Sequence, residues 1–248
     1  MEDSWNDWPR QILRSARRSM GLPASSDVAI VARMLQPILD LVEQTERSTI
    51  SALVSFPALR GLYQEDIVDA ALHVGLTQIA YGYEYHPHEL VATFAGHGMG
   101  LEYLNHDPDE FEHRPTLLVE YTKKAFLLHH RYMTQAVEIP WPHMQLQMSF
   151  DMGGGRHPDL HAITDFLFKF LSDEYKRVGD PAPQKVTILI TGSAQSLADG
   201  KMERAATLAV NALGSSIESF SKNPEHMAAR GAAELAWRGM KAKGETER

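Results

Sequence analysis

The chain has 248 residues, of which 44% are hydrophobic and 23% charged, a globular composition with enough length for a sizeable core. Its 24 Lys and Arg against 32 Asp and Glu give a formal charge of −8, which argues against a nucleic-acid binder, since such proteins carry a basic stripe. There is no cysteine, which excludes a disulfide framework, thiolate or iron–sulfur ligation and a cysteine nucleophile. No apolar run reaches the length of a membrane span, and the acidic start from Met1 to Trp5 has no apolar segment behind it as a secretory leader would. The expectation is a soluble cytoplasmic protein with neither a membrane span nor a nucleic-acid partner.

Trp8 to Met20 predicts a basic amphipathic helix carrying Arg10, Arg14, Arg17 and Arg18, whose charged face is expected to be solvated. Gly21-Leu22-Pro23 breaks it. Ser25-Ser26-Asp27 then caps a second helix, in which Val28, Val31, Ala32, Leu35, Ile38, Leu39 and Val42 recur at helical spacing around Pro37. Thr49 to Phe56 predicts a short strand closed by Pro57, and Leu76 to Tyr81 another. Between them, Tyr63 to His73 predicts a helix stopped by Gly75. Glu89 to Leu101 predicts a helix in spite of Gly96, Gly98 and Gly100, and Asn105 to Arg114 an acidic, His-rich surface loop.

Thr116 to Tyr121 and Ala125 to Tyr132 predict a hairpin, with a further strand near Gln145 to Phe150. Pro158 opens an amphipathic helix through Leu160, Ile163, Leu167, Phe170 and Tyr175. Lys185 to Thr191 reads as a buried strand. Helices over about 200–213 and 224–241 flank a short segment at Ser215 to Ser219, and the charged tail from Lys241 is expected to fray. Strands and helices mixed in this way make an α/β protein.

Local chemistry is sparse. Gly153-Gly154-Gly155 between a strand and a helix could admit an anion, but no Gly-Lys-Ser/Thr follows, so a turn without a ligand is the simpler reading. His86-Pro87-His88 could chelate a metal from an extended segment, yet no third ligand stands out and no metal or cofactor is expected. His129 and His130 alternate in a strand, so at most one is expected to be buried. Ser193 lacks the Gly-x-Ser-x-Gly elbow of a hydrolase nucleophile.

Four segments in order resemble the actin-like ATPase superfamily, of the heat-shock chaperone ATPase-domain type. Val54-Ser55-Phe56-Pro57-Ala58 looks like that family's V-T-V-P-A strand, with a helix ending in His73-Val74-Gly75-Leu76 after it. Glu89 to Met99 is similar to the E-P-T-A-A-A-x-A-Y-G-L helix, and Ile188 to Ala194 to the V-L-V-G-G-S-T adenosine loop. Asn223-Pro224-Glu225 with Ala229-Arg230-Gly231-Ala232-Ala233 resembles the N-P-D-E…A-x-G-A-A of the last helix, and is also similar to fungal members of the superfamily. The resemblance implies a truncated, ribonuclease H-like actin fold with mixed sheets flanked by helices. Residues 1–24 would be a helical extension, 25–115 a first-lobe remnant, 116–240 the second lobe and 241–248 a charged tail.

The departures from the family imply lost ATP chemistry. Its first phosphate loop has no counterpart, and its second, D-L-G-G-G-T-F, aligns with Glu120-Tyr121-Thr122-Lys123-Lys124-Ala125-Phe126. Three glycines have become Thr, Lys and Lys, so the backbone no longer approaches a triphosphate closely. What remains around the family's interlobe cleft is Glu89, His88, His97, Glu120 and Tyr121 as candidate catalytic residues, with Tyr81, Tyr83, Tyr85, Lys123, Lys124, Gly192 and Ser193 as candidate ligand-binding residues. Three functions stay open. One is a pseudo-ATPase that binds a small molecule and performs acid–base chemistry, such as an isomerisation or cyclisation in a biosynthetic pathway. The second is a non-catalytic scaffold with a protein partner or a second copy. The third is residual nucleotide binding without hydrolysis.

Overall fold

The computed structural model describes residues 7–45, 51–59, 61–79, 87–101, 113–136, 145–179 and 181–246. The chain divides into two units, one of Met1–His88 with Ala232–Arg248 and the other of Glu89–Gly231. Among the described residues no helix is long and apolar enough to cross a membrane.

The unit from Glu89 to Gly231 is built on a five-stranded mixed sheet of order β5-β4-β3-β6-β7. Strands β3 (Arg114–Tyr121), β4 (Phe126–Met133) and β5 (Gln145–Ser149) form an antiparallel meander, and β6 (Lys185–Gly192) and β7 (Ser216–Phe220) extend it in parallel. Leu117, Val119, Leu128, Val186, Ile188 and Ile190 face one side and pack against helices α5 (Leu160–Val178) and α7 (Lys201–Ala212). The opposite face is buried too, at Leu118, Leu127 and Leu189, and α4 (Glu89–Gly96) packs against β6. A strand covered on both faces can be apolar throughout, which is why β6 reads as an unbroken run. Each of those side chains contributes about 1.5–3 kcal/mol by leaving water. In α5, the Asp159 carboxylate accepts from the Ala162 amide at 2.7 Å and Gly179 at φ +79° closes the last turn.

The burial of His129 and His130 corrects the expectation that only one could be inside. Both are buried, because a sheet covered on both faces has no wet side to which alternation could send one of them. His130 lies edge-on to Tyr175, and burial, with Arg177 nearby, lowers its pKa to about 4, so it is neutral.

Helix α4 stops at Gly96, short of the expected Leu101. It crosses the start of α8 (Met227–Thr246) so closely that a Cβ on Gly231 would overlap the Ala92 carbonyl oxygen, and one on Gly96 would overlap the Met227 carbonyl. The last helix does not fray at Lys241 but is helical to Thr246.

The other unit holds α1 (Trp8–Ser19), α2 (Ser26–Thr45) and α3 (Gln64–His73), with a parallel pair of two-residue strands, β1 (Ser51–Ala52) and β2 (Thr77–Gln78). Both strands are shorter than the sequence suggests among the described residues, and Phe56 adds only a bridge to His88. Val28 and Ala32 of α2 pack on Ala70 of α3, and Leu39 on Ala71 and Leu76.

The basic face of α1 is not solvated at its centre. Arg14 is 2% exposed, and its guanidinium donates to Asp66 Oδ1 at 2.7 Å, Asp69 Oδ2 at 2.6 Å and the Glu65 carbonyl at 3.1 Å. One turn to either side, Arg10 pairs with Glu65 and Arg18 with Asp69. Three arginines spaced four apart thus meet carboxylates on the first turns of α3. The apolar face of α1 points outward instead, with Trp8, Ile12 and Leu13 exposed.

Candidate functional site

Glu89 is the first residue of α4, and Glu120 is the last but one of β3, on the face of the sheet opposite Tyr121. The two carboxyls are partly buried and share a hydrogen bond. Burial, and then the charge of Glu120, push the Glu89 pKa from 4.5 up to about 8. Burial raises that of Glu120 as well, while the bond it accepts from Glu89 opposes the rise. Both carboxyls are thus pushed toward the protonated form, Glu89 the further, and they titrate as a pair. Such a pair can give up a proton and take it back.

The His88 ring lies against that of Phe56 at a tilt, 4.5 Å between centroids. The His97 ring lies at a tilt against Phe220, 5.2 Å between centroids, and burial, then Arg230, lowers its pKa. Tyr81, Tyr83 and Tyr85, with His86, lie outside the described residues.

Lys123 and Lys124 form the exposed tip of the β3–β4 hairpin, closed by the Thr122 amide donating to the Ala125 carbonyl at 3.0 Å. The glycine run is spoken for: the Gly154 and Gly155 amides donate to the Thr122 and Lys123 carbonyls, each at 2.8 Å. Those amides brace the hairpin tip and are not turned toward an anion.

Gly192 and Ser193 likewise brace the chain. Gly192 sits at φ +131°, and a Cβ there would overlap the Tyr121 carbonyl oxygen, so β3 and β6 touch at their ends through a residue that must be glycine. Ser193 caps the short helix α6 (Ala194–Leu197), its hydroxyl lying 2.7 Å from that of Ser196. The Ala194 amide donates to Glu225 Oε1 at 2.6 Å, and the Gly192 amide to the Pro224 carbonyl at 3.3 Å. Two of the segments that resemble the chaperone ATPases are thus wired to each other.

A pocket of about 360 Å³ opens at the same end of the parallel strands, on the Tyr121 face. Lys123 lines it together with His157, Gln195, Ser196, Asp199 and Lys201, none of which stood out in the sequence except Lys123. The available signal was position: ligands of α/β sheets gather beyond the carboxyl ends of parallel strands, where residues 193–200 lie. Among the described residues no three metal-ligating side chains converge. Comparison with models of known protein families and with curated proteins returns no match.

Proposed function

We propose that this protein is a degenerate, non-hydrolysing relative of the actin-like ATPases that binds a small molecule beside Glu89 and Glu120 and moves a proton with them, as an isomerisation or cyclisation requires. The carboxyl pair carries the reading: two partly buried carboxyls that bond to each other and are both pushed toward the protonated form by burial can serve as acid and base in turn. The sheet supports the ancestry, because a meander extended in parallel through its first strand is the order of a ribonuclease H-like core. The Lys123-Lys124 tip supports the loss of ATP chemistry. We expect no magnesium-dependent phosphate release from ATP, and release that Glu89→Gln abolishes would overturn that part.

Carbon-13 spectra of labelled glutamate test the pair directly. One carboxyl should stay protonated through neutral pH, and Glu120→Gln should remove the charge that helps to hold Glu89 high. Titration of both groups in the ordinary glutamate range would sink the proposal. Small molecules released from purified protein by denaturation supply the ligand arm: a compound present with wild type and depleted with Glu120→Gln supports binding at the pair, and none at all argues against it.

A second reading, a non-catalytic interaction module, is favoured by a different observation. Ile30, Met34, Ile38 and Leu41 form an exposed stripe on α2, whose other face already supplies core. A helix apolar on both faces is usually covered on both.

A further inference from the structure

We propose that the pocket beside Lys123 binds the oxyanion group of a small ligand, a phosphate or a carboxylate, independently of the carboxyl pair. The pocket, about 360 Å³, is within the range of ligand sites and is assembled from the hairpin tip, the turn at Gly154 to His157, and the loop between β6 and α7. Its charges do not cancel. Asp199 is occupied by Lys201, accepting from its amide at 2.9 Å and its ammonium at 3.2 Å, and the Lys201 ammonium also reaches the Pro158 carbonyl at 3.4 Å. Among the described residues Lys123 has no such carboxylate, so the pocket keeps one uncompensated ammonium.

Neutral donors stand around it. Ser193 accepts from the Ser196 amide at 3.4 Å and gives its own hydroxyl proton to Ser196 Oγ at 2.7 Å, leaving the Ser196 hydroxyl free to donate onward. The Tyr121 phenol is kept protonated by burial and by Asp199, so it too is a donor. An ammonium with hydroxyl donors is the chemistry that holds an oxyanion. The wall is shaped for the lysine: a Cβ on Gly155 would lie 2.9 Å from the Lys123 carbonyl and 3.2 Å from its Cγ. His157, in the same wall, holds the left-handed conformation at φ +51°, which is unusual for a residue other than glycine.

Lys124 supplies the control, since it is exposed at the same tip but does not line the pocket. Inorganic phosphate and malonate are titrated separately into wild type, Lys123→Met and Lys124→Met while amide shifts are followed. We expect saturable binding of at least one anion, weakened about tenfold or more by Lys123→Met, as loss of a charge-assisted hydrogen bond implies, and less than about twofold by Lys124→Met. The anion that saturates at the lower concentration identifies the group. Equal weakening by both variants would reduce the effect to diffuse surface charge, and no saturable shift with either anion would end the proposal. Glu89 and Glu120 lie on the other face of the sheet, so failure here would leave their titration, and the proposed function, to be judged separately.

Discussion

The proton between Glu89 and Glu120 ties the stability of the protein to pH in a direction that can be worked out residue by residue. In the unfolded chain Glu89 titrates near 4.5, whereas folded it holds its proton up to about 8. The folded state therefore binds protons more tightly, and the resulting stability is full below 4.5 and lost as pH rises through about 8. His130 acts in the opposite sense. Its pKa falls from 6.5 to about 4 on folding, so its contribution is complete above 6.5 and lost as pH falls through about 4. The two slopes oppose each other where they overlap; between 6.5 and about 8 the histidine no longer contributes and the carboxyl pair remains, Glu120 acting in the same sense as Glu89. The thermal midpoint should fall across that upper window in wild type and fall less in Glu89→Gln. A wild-type midpoint that is flat there would show that the carboxyl is not held protonated.

Among the elements, the contact of α4 with α8 and the docking of α1 on α3 make the sharpest demands. Gly231→Ala puts a methyl group against the Ala92 carbonyl, and with backbone on both sides it should destabilise by about 1–3 kcal/mol or more, read as a lower thermal midpoint. Arg14→Met leaves Asp66 and Asp69 buried without their main partner, a loss of about 3–5 kcal/mol. Arg17, whose guanidinium among the described residues reaches only the Pro23 carbonyl, should tolerate the same change far better. These two contacts also mark what the sequence could not show. Helix α5 and strands β3, β4 and β6 are long enough for their own periodicity to declare them. The partners of Arg14 lie more than fifty positions away, and periodicity shows that a helix has two faces without showing which one docks. Gly96 ends its helix against a residue of α8. Glu89 and Glu120 were legible only through the family resemblance, and the pocket beside Lys123 was missed because its walls come from separate loops.

For the whole molecule, the two units have cores of different kinds. That of residues 89–231 has a large apolar cluster between one face of the sheet and α5 and α7, with further buried apolar residues on the other face, while that of α1 to α3 shows small clusters beside a set of ion pairs. Amides of β3 and β6 should exchange with solvent most slowly and those of α1 among the fastest. Ile190 is 1% exposed in β6, and Ile190→Asp should prevent folding of its unit, since a buried unpaired carboxylate offsets several kcal/mol of a stability of about 5–15 kcal/mol. A soluble, cooperatively unfolding Ile190→Asp protein would place that strand at the periphery.

Helix α1 is attached with its charged side inward and its apolar side in water, and this sets how it comes off. Its release exposes carboxylates and guanidinium groups and almost no hydrocarbon, so it should carry little heat capacity and a shallow dependence on urea. Guanidinium chloride is different, because the denaturant is itself the ion that competes with Arg14 for Asp66 and Asp69. A fluorescence change from Trp8 at low guanidinium concentration, well before the sheet unfolds, with no equivalent step in urea, is the signature of an element fastened mainly by ion pairs.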